Sequence, residues 1–130
     1  MGQTSSSDFE ETSLEKDLKR LMNDERFYNI SLECSDKEVV FGCKAILATR
    51  SDVFNSSIFS ESTESVESYN ILSFDDINSK AMKVILEFLY TSKVENVTID
   101  NVIEVYFASI HFKLTNLQDH VIEFAIKTLW

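Results

Sequence analysis

The stretch FGCKAILATRSDVF, residues 41–54, places Cys43 directly beside Lys44. A cation next to a thiol favours the thiolate, the form that acts as nucleophile or metal ligand. Such chemistry also needs a base and an oxyanion hole, and nothing close in sequence supplies either. The favoured reading of Cys43, and of Cys34, is a small, buried, reduced side chain. His111 and His120 stand nine positions apart. That is not the i, i+4 spacing that sets two ligands on one helix face, and no HExxH occurs. They read as surface or boundary histidines. Glu61, Glu64 and Glu67 recur every third position. A cation loop needs Asn and Gly among its carboxylates, so a solvated acidic run is favoured. Glycine occurs only at positions 2 and 42, which leaves neither a phosphate loop nor a GxSxG elbow. No catalytic residue, cofactor or metal site is expected.

The opening MGQTSS fits a myristoylation pattern with Gly2 as acceptor. One acyl chain holds a membrane only marginally and needs a second signal. The following SDFEE is acidic and no cysteine lies near, so a polar leader is favoured. No apolar run approaches the ~20 residues that span a bilayer, and the N-terminus lacks the apolar core of a secretory signal. The net charge of −10 disfavours both nucleic acid and anionic membranes, which recruit Lys and Arg. Two cysteines make no disulfide framework and point to a reducing compartment: the cytoplasm, with the nucleus as a further option.

The elements that position these residues follow from periodicity. The 130 residues, 44% of them hydrophobic and ten of them Phe, suit one domain with its own core. Residues 1–11 read as a flexible acidic, Ser-rich tail, and 12–130 as the domain. TSLE, from Thr12 to Glu15, is a capping box. Leu14, Leu18, Leu21 and Met22 then form one apolar stripe, with Lys16, Asp17, Lys19 and Arg20 off it. YNISLEC alternates like a half-buried strand, SDK is turn chemistry and EVVF a second strand, giving a hairpin over 28–41. Two short helices are expected around 43–49 and 52–59, with Ala45, Ile46, Leu47 and Phe54 filling core. A Ser-rich loop and a third strand, YNILSF, come next. A helix over 79–90 buries Met82, Ile85, Leu86 and Leu89. Asp100 caps a second, with Val102, Ile103, Tyr106, Phe107 and Ile110. A third follows Thr115, with Leu117, Val121, Ile122, Ala125 and Leu129. The connection TSKVENVTI has room for a short strand. Strands first and helices after imply an α+β domain.

Three segments in this order resemble the BTB/POZ family: FYNISLECSDKEVVFGCKAILATRSDVFNSSIF, AMKVILEFLYTSKVE and NVIEVYFASIHFKLTNLQDHVIEFAIKTL. Together they cover roughly residues 14–130. The resemblance implies a small, mostly antiparallel sheet covered by a helical cluster, and a non-catalytic interaction module that self-associates and scaffolds partners. Its dimer contact, homodimeric or between two BTB chains, would run through Leu14, Leu18, Leu21 and Met22. The same stripe also fits the chain's own core. Family dimers with a charged pocket carry an acid and a base at positions that are Asn29 and Lys44 here. Asn29 cannot supply the anion, and a buried unpaired lysine is costly, so Lys44 is expected to reach solvent or another acidic group. Cys43 stands where relatives tend to carry His. Many members bind a cullin scaffold as ubiquitin-ligase adaptors. The matching surface here would be Phe54, Ile58, Phe59 and Tyr106, but the hydrophobic-x-Glu motif expected after Phe59 is degraded in STESVES. No kelch, MATH or zinc-finger sequence accompanies the domain, so the chain reads as BTB-only or as the BTB fragment of a larger adaptor.

Overall fold

The computed structural model describes residues 11–59 and 70–129. Its first helix, α1 (Ser13–Met22), begins where the capping box predicts. Thr12 Oγ1 accepts from the Glu15 N–H at 3.1 Å, and Glu15 Oε1 accepts from the Thr12 N–H at 2.9 Å. Two orphan amides of the first turn are thereby satisfied. Glu11, the last residue of the expected tail, ion-pairs with Lys19. One 3-10 turn, Glu25–Phe27, leads into the hairpin β1 (Ile30–Glu33) and β2 (Val39–Gly42), whose register pairs Ile30 with Gly42 and Glu33 with Val39. Alternation holds: Ile30, Leu32 and Val40 are buried. At the turn Lys37 takes the left-handed conformation, φ 69°. Asp36 reaches past the turn and accepts from the Ser79 N–H at 3.2 Å and the Ser79 hydroxyl at 2.7 Å, which fastens the hairpin tip to the next long helix. The hydroxyl bond holds the Asp36 carboxyl below its usual range.

Helices α2 (Lys44–Arg50) and α3 (Asp52–Ile58) carry the chain across to β3 (Ile71–Ser73). Ser51, between the two helices, caps α3 by accepting from the Phe54 N–H at 3.1 Å. The expected third strand is present, but it lies parallel to β1, with Ser31 opposite Ile71 and Glu33 opposite Ser73. The sheet, in the order β2-β1-β3, therefore joins one antiparallel and one parallel ladder. A parallel partner requires a crossover, and α2 and α3 provide it.

Helix α4 (Ser79–Thr91) is the spine of the core: 11 of its 13 residues are buried. Only Lys80 and Lys83 reach the surface from it. Asn78 caps it by accepting from the Ala81 N–H at 2.8 Å, and the Arg50 Nε–H donates to the Leu89 carbonyl at 2.7 Å near its far end. Phe54 stacks on Phe112 with ring centres 4.6 Å apart, and Phe74 meets Phe54 edge-on at 6.0 Å.

The hairpin of α5 (Val102–His111) and α6 (Thr115–Leu129) completes the domain. Several expectations need correcting here. Asn101, not Asp100, is the residue before α5; its Oδ1 accepts from the Thr98 N–H at 2.8 Å. Val102, Val105 and Ala108 point inward, whereas Ile103, Phe107 and Ile110 are exposed. On α6 Leu117 and Val121 are buried, while Ile122 and Leu129 are exposed. Both helices are apolar on two sides, so spacing alone does not select the inward one. Among the described residues no strand forms between α4 and α5. Ala45 is exposed, because α2 turns Leu47 rather than Ala45 into the core.

Candidate interaction surfaces

The α1 stripe divides along its length. Leu21 and Met22 pack against the core and are half-buried, as is Leu18, but Leu14 is 66% exposed and no residue of α1 is fully buried. Ion pairs Lys19–Glu95 at 3.2 Å and Lys93–Glu15 at 3.4 Å hold α1 against the segment after α4. The Tyr28 hydroxyl donates to the Met22 carbonyl at 3.2 Å and fixes its C-terminal end. The stripe thus serves this chain's own core at one end and lies open at the other.

Asn29 and Lys44 are brought together, though not as an ion pair. Asn29 Oδ1 accepts from the Lys44 N–H at 2.8 Å. It caps α2, a task for which the Cys43 side chain makes no bond. The Lys44 ammonium donates to the Asn70 carboxamide oxygen. These groups line an open depression of about 790 Å³ together with Glu25, Ser31 and Ile71. A neutral carboxamide at position 29 turns a charge site into a helix cap.

Two of the four residues assigned to a cullin-contact surface are core. Phe54 and Ile58 are 0% exposed, because their i, i+4 spacing puts both on the one face of α3 that joins the core, where Phe54 meets Phe112 and Phe74. Neither can touch a partner in the folded domain. Phe59, one residue past α3, is 44% exposed, and Tyr106 is half-buried on α5. The hydrophobic-x-Glu segment and the acidic run Glu61, Glu64 and Glu67 lie outside the described residues, as does Gly2. Spacing missed an apolar groove of about 400 Å³ between α5 and α6, lined by Ile103, Phe107, Ile122, Ile126 and Leu129. The signal for it was the excess width of the two apolar stripes, more than one buried face can absorb.

The cysteines differ, contrary to the expectation that both are buried. Cys34 is buried, and that burial pushes its thiol up to about 11. Cys43 is half-buried at the junction of β2 and α2, where the Tyr90 hydroxyl accepts from its N–H at 3.0 Å. In a timed iodoacetamide pulse at neutral pH, read by mass spectrometry, Cys43 is expected to label in the native protein and Cys34 only after denaturant. His111 lies edge-on to Phe74 and Phe112 at 5.9 and 4.7 Å, and His120 is exposed on α6. Among the described residues no group of His, Cys, Asp and Glu is placed to hold a metal. Among the described residues no helix is long and apolar enough to cross a membrane.

Known proteins share this arrangement. The family model of the BTB/POZ domain matches residues 18–129. The chain is 29% identical over 110 residues to Kelch-like protein 41b of Danio rerio, covering 84% of this chain and 18% of that protein. It is 28% identical over 113 residues to BTB/POZ domain-containing protein 19 of Homo sapiens, covering 86% and 38%. The chain thus spans well under half the length of these curated relatives. The BTB domain of zebrafish PATZ1 superposes with a TM-score of 0.68 at 23% identity, over 98% of both chains. The BTB domain of human gigaxonin does so at 0.67 and 21%, over 95% of both. With the family model spanning most of the chain and the order of helices, hairpin, crossover and helical cluster in place, this chain belongs to the BTB/POZ family of protein-interaction domains.

Proposed function

We propose that this domain is a non-catalytic scaffold that self-associates through α1. The observation carrying this reading is that α1 leaves Leu14 66% exposed while Leu18, Leu21 and Met22 are only half covered. A second copy laid on the stripe finishes that burial, with a gain of about 25 cal/mol per Å² of apolar surface removed from water. Light scattering on the unmodified protein is expected to give twice the chain mass of 14.9 kDa at tens of micromolar. A single-chain mass there overturns the reading.

A second reading, an adaptor subunit of a cullin-type ubiquitin ligase, is favoured by the identity to a Kelch-like protein and by the exposure of Phe59. Its contact residues are Phe59 and Tyr106. Immobilised cullin N-terminal regions are expected to retain this protein, and the double substitution Phe59→Ala, Tyr106→Ala to lower retention at least tenfold. No retention of the unmodified chain, with an ordinary BTB control retained, sinks the idea.

A further inference from the structure

We infer that the outer edge of β2 and the wall of α4 beside it form a docking groove for an extended segment of a partner protein in which apolar and acidic residues alternate. This goes beyond self-association and stands without it. β2 is an end strand of the sheet. In the β1–β2 ladder the Cys34 N–H donates to the Glu38 carbonyl at 2.9 Å, and hydrogen-bonded pairs recur at every second residue. Val40 and Gly42 therefore turn their main-chain groups to β1, and Val39 and Phe41 turn theirs outward. Neither has another main-chain partner among the described residues. Natural edges are blunted by charge, proline or a covering element. Here the two outward positions carry apolar side chains, 41% and 48% exposed, and the chain contains no proline.

The groove alongside, about 520 Å³, is walled by Met22, Val84, Lys80 and Lys83. Both lysines are exposed, and neither has a carboxylate partner among the described residues. Glu87, four positions after Lys83, accepts instead from the Asn96 amide at 2.7 Å. On a chain of net charge −10, two uncommitted cations beside an apolar strand edge select an acidic occupant. An added strand supplies what both features lack. Its backbone completes the ladder, and its period of two sets apolar side chains on Val39 and Phe41 and carboxylates toward the lysines.

The test is a fluorescence-anisotropy titration of the whole chain with a labelled, end-blocked peptide of about eight residues, alternating Val or Phe with Glu. A second peptide carries Lys in place of Glu. Saturable binding of the acidic peptide is expected, with the basic one at least tenfold weaker. The doubly substituted protein Lys80→Glu, Lys83→Glu, altered only at exposed positions, is expected to lose at least tenfold in affinity. Amide exchange at Val39 and Phe41 is expected to slow in the complex. The inference is overturned if the acidic peptide shows no binding up to about 1 mM, or if the charge reversals leave its affinity unchanged. It is equally overturned if protection falls on the α5–α6 groove instead. It also fails if the double reversal converts a two-chain particle to one chain, which would make a second copy the occupant.

Discussion

Leu14→Asp is expected to convert the proposed two-chain particle to a single chain that is still folded, its melting temperature falling only by the stability that association contributes. Leu14 is 66% exposed in the isolated fold, so a carboxylate there stays hydrated when the chain is alone. On the proposed dimer face it must be stripped of water opposite apolar side chains, which costs a few kcal/mol. Truncation of a central interface side chain costs about 2 kcal/mol or more, and that is roughly a thirtyfold rise in Kd. Light scattering across a dilution series reads the dissociation, and a thermal melt reads the fold. Leu18→Asp is expected to dissociate the proposed particle too but to lower the melting temperature further, since Leu18 is half-buried in its own chain. If Leu14→Asp leaves the two-chain mass intact, the contact lies elsewhere.

Phe54→Ala costs about 3–5 kcal/mol of stability. Phe54 is 0% exposed, stacks on Phe112 and meets Phe74 edge-on. Its loss leaves a cavity at the junction of α3, α5 and the strand-end Phe74, and the rigid neighbours do not collapse into it. A domain of this size holds about 5–15 kcal/mol in total, so this one change removes a third or more of a typical value. Urea denaturation is expected to show the midpoint falling with an unchanged slope, and the melting temperature to drop by roughly 10–20 °C. A loss below about 1 kcal/mol contradicts the packing described. The result also bears on partner binding. A Phe54→Ala protein that binds a cullin poorly has a weakened fold rather than a lost contact, so only Phe59 and Tyr106 are informative there.

Local rules made the local structure legible. Thr12 and Glu15 announce a helix start because both partners of the capping box lie within four residues. Ile30, Leu32 and Val40 announce a half-buried hairpin because pleating makes every second side chain share a face. The helix over 79–90 reads as buried because Met82, Ile85, Leu86 and Leu89 share one face. Periodicity also supplied the order of elements, and the family likeness matched it. What stayed hidden depends on contacts far apart in sequence. Asn29 looks like a lost charge until Lys44 is beside it, where it proves to be the cap of α2. Asp36 looks like turn chemistry alone until Ser79 arrives. The parallel direction of β3 is set by the crossover, which alternation within a strand does not record. The inward faces of α5 and α6 were not selected by spacing, because apolar residues flank both sides of each helix. Ile58 was placed on a surface by family position, and Phe54 was read both as core and as surface, although their spacing marks them as one inward face of α3.

The pairing of β3 with β1 has a consequence for how the chain reaches this state. Ser31 and Ile71 lie forty positions apart, while the facing residues of the hairpin, such as Glu33 and Val39, are only six apart. Short-range pairings close in microseconds, and distant ones wait for the entropy of loop closure to be offset. The hairpin is therefore expected to pair before the third strand docks and completes the sheet. In that interval both edges of the nascent hairpin are open. The rate at which the crossover helices deliver β3 sets how long an unfinished domain presents an unpaired strand to its neighbours.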